Sequence, residues 1–247
     1  MNVLPDQVTA VILAGGFGTR IQQLLPNLPK PMAPVNGKPF LEWVARYLAA
    51  QGIRQVILST GYLAETIERH FQNQPVKELT ASYVRETEPL GTAGGFRNAV
   101  RGAATTPAAW LVLNGDSLAL APLDRMFRAL AETAVDGAIL GVPMPDASRY
   151  GTIEQNAAGE LAAFKEKRPG AGLINAGVYL FRASLLDWFP DRAPLSFERE
   201  VFPELLARRA RLKVCVTQAP FLDIGTPESL PLAEVFVREH AEYFNKT

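Results

Sequence analysis

The chain has 247 residues, 48% of them apolar, and its 25 basic side chains balance 25 acidic ones. That length fits one large α/β domain or two small ones, and the apolar fraction supports a sizeable core. No net positive charge or long like-charge run favours nucleic acid as a partner, and no apolar run reaches the ~20 residues needed to span a membrane.

Met1 to Asp6 hold no basic segment followed by an apolar one, so no secretory signal is expected and the cytoplasm is the expected location. The single cysteine, Cys215, lies between Val214 and Val216 in an expected strand and reads as a buried small hydrophobe.

In chain order, Val8, Ala10, Val11, Ile12 and Leu13 form an apolar run that predicts a buried strand. A glycine loop follows. Phe40, Leu41, Val44 and Leu48 recur at helical spacing, and Gly52 ends that helix. Residues 55–59 predict a strand, 63–71 a helix, 80–84 a strand and 93–101 a helix. A further strand covers 110–113, a helix 122–133 and a strand 137–142. This alternation implies a mostly parallel sheet covered by helices on both faces. After Pro143 the pattern changes. Strands are expected at 150–154, 161–165 and 176–181, a helix at 197–208, a strand at 212–216 and a last helix from Pro227. The expectation is one domain with two lobes, 1–143 and 144–247, the second α+β in character.

The loop after the first strand reads L-A-G-G-F-G-T-R, with P-K-P ten residues later. Gly15, Gly16 and Gly18 let the backbone turn tightly and expose N–H groups, and Arg20 and Lys30 add positive charge. Together these are what a polyphosphate needs. No Gly-Lys-Ser/Thr follows, so it is not a P-loop. Ile21 stands where a dinucleotide fingerprint needs its third glycine. Prolines on both sides are expected to hold Lys30 in an extended segment.

Two aspartates stand out. Asp116 follows the strand at 110–113, where ligands of open α/β sheets gather, and near a triphosphate it suits Mg²⁺. Its alternative is an Asx-turn. One carboxylate holds Mg²⁺ weakly, and Asp223 in F-L-D-I-G-T-P is the best second ligand; its alternative is a helix cap before Pro227. His70 and His240 are far apart and no cysteine cluster exists, so a soft-ligand metal site has no support. Nothing reads as a Ser-His-Asp triad. Gly91 to Gly95 form a second glycine cluster, read as backbone close to a base or ribose, or else as a plain helix entry.

These segments, with E-P-L-G-T-A-G-G at 88–95, V-L-N-G-D at 112–116, Y-G-T-I-E at 150–154, F-K-E-K at 164–167 and N-A-G-V-Y at 175–179, resemble the sugar-1-phosphate nucleotidylyltransferases along the whole chain. The resemblance implies a Rossmann-like (GT-A type) α/β fold with a mixed, mostly parallel sheet, a smaller sugar-binding lobe and no β-helix domain. It implies an enzyme that joins an NTP to a sugar 1-phosphate, with Mg²⁺ as cofactor and pyrophosphate as the second product. Leu13, Ala14, Gly15, Gly16, Gly18, Thr19, Pro89, Leu90, Gly91 and Thr92 would line the nucleotide. Arg20 would offset the leaving pyrophosphate, Lys30 would sit at the α-phosphate, and Asp116 and Asp223 would hold the metal. Asn114, Gly151, Glu166, Lys167 and Asn175 would bind the sugar phosphate.

Glu86 matches a position where thymidylyl- and uridylyl-transferring members commonly carry glutamine. Guanine offers two adjacent donors, and a carboxylate accepts both where glutamine would meet one donor with another. Glu86 therefore favours GTP, unless it is only a charge at an exposed strand end. Within the family, members that transfer GMP to D-glycero-α-D-manno-heptose 1-phosphate are the most similar; mannose 1-phosphate and N-acetylmuramate or hexose 1-phosphates are the alternatives. The oligomeric state is left open between monomer and homodimer. Two readings from other classes compete. A silent sugar-nucleotide sensor would lose the cations or carboxylates that this chain keeps, and an NAD oxidoreductase lacks its third glycine.

Overall fold

The computed structural model describes residues 3–104, 106–165, 167 and 169–245. The strand β1 (Val8–Ala14) leads into the glycine loop. A short hairpin of β2 (Pro34–Val35) and β3 (Lys38–Pro39) precedes α1 (Phe40–Ala50). Then come β4 (Gln55–Thr60), α2 (Ala64–Asn73), β5 (Thr80–Arg85), α3 (Thr92–Arg101) and β6 (Ala109–Asn114). The chain continues through β7 (Ser117–Ala119), α4 (Asp124–Ala131) and β8 (Gly137–Met144). The second half holds β9 (Thr152–Gln155), β10 (Leu161–Lys165), β11 (Gly172–Arg182), α5 (Phe202–Ala207), β12 (Leu212–Val216), β13 (Phe221–Asp223) and α6 (Leu232–Glu239).

Nine strands make one mixed sheet, in the order β10-β9-β11-β6-β1-β4-β5, with β8 joined to β11 and β12 joined to β8. β1 lies between β4 and β6, parallel to both. It is buried on both faces, which is why its sequence is a nearly continuous apolar run rather than an alternation. Alternate residues feed opposite cores. Ala10, Ile12, Leu111 and Leu113 pack on one side. Val11, Trp110 and Val112 pack on the other. The expected α/β fold with a mostly parallel centre is therefore observed. The long strand β11 comes from the second half yet pairs antiparallel with β6 at the centre, so one sheet runs through both halves.

Four expectations need correction. The last helix begins at Leu232, not Pro227, because Thr226 and Ser229 bond to each other in a turn. The helix expected over 197–208 is a π-turn at Phe197–Val201 followed by α5. The strand expected from 176 starts at Gly172. Lys30 is not in an extended segment: Pro29 is extended, but Lys30–Met32 form a 3-10 turn.

Two features of the second half position the site. β7 and β13 pair as a separate two-stranded ribbon, Asp223 opposite Ser117, which brings the end of the chain back beside Asp116. An aromatic cluster seats the segment around Phe197. Its ring lies 5.7 Å from Phe96, 5.0 Å from Tyr179 and 5.8 Å from Phe181.

Candidate active site

The carboxyl ends of β1 and β6 and the segment that follows β5 open onto a cavity of about 360 Å³. It brings together Leu13, Ala14, Gly15, Gly16, Gly18, Lys30, Glu86, Pro89, Gly91, Thr92, Asn114 and Asp116, with Phe17 and Pro31 as unexpected neighbours. Thr19, Arg20, Leu90, Gly151, Lys167, Asn175 and Asp223 lie outside its lining, and Glu166 falls outside the described residues. Thr19 and Arg20 are exposed on the turn after Gly18, and Lys167 is exposed beyond β10.

The loop is shaped by glycine contacts. Gly18 has φ +62°, and a β-carbon there would lie 2.7 Å from the Cβ of Lys30. The loop thus rests on the stem of the lysine. A β-carbon on Gly115 would meet the Leu13 carbonyl at 2.7 Å, and the Gly115 N–H donates to that same oxygen. That glycine lets the turn before Asp116 close down on the end of β1.

Lys30 Nζ donates to Asp116 Oδ2 at 2.7 Å, and the lysine side chain is 13% exposed. Asp223 is next to this pair. The backbone N–H of Ile224 donates to the Asp116 carbonyl, and Asp223 Oδ1 accepts from the Gly225 N–H at 2.7 Å. Burial and the Asp116 charge push the Asp223 carboxyl above its ordinary value, while Lys30 pulls it back. Arg149, which the sequence reading did not single out, lies 3.8 Å from Asp223 and sits over the Tyr150 ring. Its only signal was its place just ahead of the Y-G-T-I-E motif.

The two aspartates suit a hard divalent cation. Both offer oxygen ligands, and they are close enough for one charge to raise the other, a repulsion that such a cation relieves. Among the described residues no third His, Cys, Asp or Glu joins them. Mg²⁺ characteristically takes few protein carboxylates and completes its shell with water and phosphate.

Across the cavity, the Glu86 carboxylate is clasped by glycines. A β-carbon on Gly15 would lie 2.4 Å from Glu86 Oε1, and one on Gly95 would lie 2.6 Å from it. Ser59 Oγ donates to Oε1 at 3.1 Å, and the Leu90 N–H reaches Oε2 at 3.4 Å. Burial raises the Glu86 carboxyl above the usual carboxylate range, against those two bonds. Glu86 is therefore a held, half-buried carboxylate and not a loose charge at a strand end. A smaller cleft beside it is lined by Phe17, Tyr62 and Pro89, and the first two rings lie 5.4 Å apart.

The second glycine cluster is anchored to the other half of the chain. Gly91 has φ +77°, and a β-carbon there would strike the Leu195 carbonyl at 2.5 Å. That carbonyl accepts from the Ala93 and Gly94 N–H groups, and Phe197 N–H donates to Thr92 Oγ1. The first turn of α3 is thus already hydrogen-bonded, and Gly91 to Gly95 form a wall, not an anion cradle.

Among the segments expected to bind the sugar phosphate, Gly177 has φ +70°, and a β-carbon there would lie 2.3 Å from Asn114 Nδ2. This accounts for the glycine in N-A-G-V-Y. Asn175 N–H donates to the Gly151 carbonyl at 3.0 Å, so those two predicted residues are brought together. The Asn175 side chain, however, is engaged internally, with Oδ1 accepting from Gly177 N–H and Nδ2 donating to the Tyr179 hydroxyl.

A sheet-end cavity with a glycine loop, a half-buried lysine and paired carboxylates is the arrangement of a phosphate-transferring α/β enzyme. Residues 9–240 match the nucleotidyl transferase family, and the chain belongs to it. The chain is 38% identical to D-glycero-alpha-D-manno-heptose 1-phosphate guanylyltransferase of Aneurinibacillus thermoaerophilus, over 91% of this chain and 96% of the relative. It is 37% identical to mannose-1-phosphate guanylyltransferase of Mycobacterium tuberculosis, over 96% of this chain but 64% of that longer protein. Among solved structures, HddC from Yersinia pseudotuberculosis complexed with GMP-PN is similar at a TM-score of 0.80 and 33% identity, covering 92% of this chain and 98% of that one. The chain is thus a nucleotidyltransferase, as its motifs implied. Among the described residues, no helix is long and apolar enough to cross a membrane.

Proposed function

We propose that this enzyme transfers GMP from GTP to a manno-configured sugar 1-phosphate, D-glycero-α-D-manno-heptose 1-phosphate first among them. A phosphate oxygen of the sugar 1-phosphate attacks the α-phosphorus of GTP in line. The bond from the α-phosphorus to the β-phosphate bridging oxygen breaks, and pyrophosphate leaves. The observation that carries the reading is the Lys30–Asp116 pair at one cavity with the Glu86 carboxylate, with Asp223 close enough behind the pair to feel the Asp116 charge.

The chemistry asks mainly for positioning and charge stabilisation. Gly15 and Gly16 give backbone access to the phosphates. Lys30 offers its ammonium to the α-phosphoryl oxygens, and Arg20 faces the leaving pyrophosphate. Asp116 and Asp223 would hold Mg²⁺, which when bound offsets phosphate charge. Glu86 accepts from the N1–H and N2–H₂ of guanine, and Ser59 holds it in place. Asn114, Gly151 and the exposed Lys167 receive the sugar phosphate, with Glu166 assigned there by its motif alone. The heptose assignment rests on the names of the relatives and ranks ahead of mannose 1-phosphate for that reason.

Pyrophosphate release from each of four NTPs with a panel of sugar 1-phosphates tests the reading. GTP with a manno-configured sugar 1-phosphate is expected to be the best pair. Preference for UTP or dTTP would overturn the role of Glu86, and release with no pair would overturn the reading as a whole.

A further inference from the structure

The half-buried carboxylate of Glu198 has no place in the reaction as described. It lies in the π-turn at Phe197–Val201, a rare geometry that gathers at functional sites. Three donors converge on it. The Tyr179 hydroxyl reaches Oε1 at 3.2 Å, Asn175 Nδ2 reaches Oε1 at 3.4 Å, and Ser196 Oγ reaches Oε2 at 2.9 Å. All three are neutral. Among the described residues none of the ion pairs includes Glu198. A charge drawn in from solvent and left without a cation is costly unless something else uses it.

Counting hydrogen-bond capacity shows what is left over. Asn175 accepts from the Gly177 N–H and has spent its two amide protons on Tyr179 and Glu198. Tyr179 is wholly buried and both accepts and donates inside this group. A carboxylate offers about four acceptor positions. Among the described residues three are filled, which leaves one on Oε2. It is a charged acceptor still open to a ligand.

Its place in the fold gives the ligand. The register of β11 against β8 shifts between Asn175 and Tyr179, and such bulges re-aim side chains at functional sites. Gly177, inside that shift, packs on the amide of Asn114, which lines the cavity. Asn175 is tied in turn to Gly151. Glu198 therefore stands one residue behind Gly151, to which it is joined through Asn175, and Gly151 is among the residues that the proposed function gives to the sugar.

We infer that Glu198 accepts a hydrogen bond from one hydroxyl of the sugar and so discriminates among sugar 1-phosphates. This rests on the proposed function and deepens it. It also reassigns the role that sequence gave to the Asn175 side chain: Asn175 holds Glu198, and Glu198 meets the sugar.

The test measures kcat/KM for wild type and E198Q at saturating GTP. The substrates are D-glycero-α-D-manno-heptose 1-phosphate, α-D-mannose 1-phosphate and their monodeoxy analogues. One deoxy analogue is expected to cost wild type about 10- to 100-fold and E198Q less than about 3-fold, as a charged hydrogen bond to a neutral donor would. The KM for GTP is expected to stay within about 3-fold of wild type. E198D, which keeps the charge but shortens the reach, is expected to lose the same discrimination, and it serves if E198Q does not fold. Equal losses for wild type and both variants with every analogue would overturn the assignment while wild-type turnover leaves the proposed function standing. No pyrophosphate release by wild type with any pair would remove both together.

Discussion

Lys30 Nζ and Asp116 Oδ2 lie 2.7 Å apart, joining positions separated by 86 residues. The proposed α-phosphate cation and one proposed metal ligand thus neutralise each other in the protein as it stands. A triphosphate that brings its own divalent cation offers each a better partner, the ammonium for phosphate and the carboxylate for metal.

Replacing Lys30 with methionine keeps much of the stem under Gly18 and removes the charge. Stabilisation of the α-phosphoryl charge in the transition state is lost, on the order of 3 kcal/mol, or a fall of about 10²-fold in kcat. Steady-state kinetics of K30M is expected to show kcat falling further than KM rises. An unchanged kcat would place Lys30 outside the chemistry.

In the proposed function the Glu86 carboxylate carries base choice. E86Q presents one acceptor and one donor to guanine where the wild type presents two acceptors. The kcat/KM for GTP is expected to fall about 10- to 100-fold, with a smaller change for UTP. Burial raises the Glu86 carboxyl, so the acceptor is lost as pH falls through a value above that of an ordinary glutamate. The acid limb of kcat/KM for GTP is expected at higher pH in wild type, and absent at that position in E86Q.

Glycines of the site divide by cause. Nothing lies within 4 Å of a β-carbon on Gly16, whereas Gly91 has φ +77° and faces the Leu195 carbonyl at 2.5 Å. G91A is expected to lower stability by about 1–3 kcal/mol. G16A is expected to leave thermal stability unchanged but to raise the KM for GTP, because only the phosphates need its bare backbone. Thermal melts and GTP kinetics on both variants separate the two causes.

Far from the site, Glu42 is buried and paired with Lys38 at 2.9 Å, Arg46 at 2.8 Å and His70 at 2.9 Å. Burial pushes its carboxyl up, but the bonds from Lys38, His70 and Arg46 outweigh that and lower it overall. A folded value below the unfolded one means that the stabilisation is fully present above the unfolded value, about 4.3, and is lost as pH falls through the folded value. E42Q is expected to cost roughly 3 kcal/mol near neutrality. Urea unfolding of both proteins from neutral to acid pH is expected to show that gap narrowing below about pH 4. A gap independent of pH would mean that the ion pairs contribute nothing.

Much of this was legible in the chain. The central strands announced themselves as apolar runs because they are buried on both faces, and α1 by its spacing of Phe40, Leu41, Val44 and Leu48. The cavity gathers the predicted loop, Glu86 and Asp116 because they follow the carboxyl ends of the parallel strands β1, β5 and β6, and a 3-10 turn brings Lys30 in beside them. The ribbon of β7 and β13 was not legible, since three-residue strands carry no period to read. Without it the closeness of Asp223 to Asp116 had to come from motif alone. Glu198 was missed for a related reason: its neighbours Asn175 and Tyr179 lie about twenty residues away on another strand, and a π-turn has no sequence signature. Arg20 and Lys167 are exposed, so their proposed roles rest on their motifs and not on their packing.

The most direct test of the account is pyrophosphate release by D116N beside wild type, with saturating GTP, D-glycero-α-D-manno-heptose 1-phosphate and Mg²⁺. The variant keeps the shape of the side chain and loses the charge that holds Lys30 and would hold the metal. The account predicts a loss of about 10³-fold in kcat with little change in melting temperature. Turnover close to wild type in D116N would contradict it.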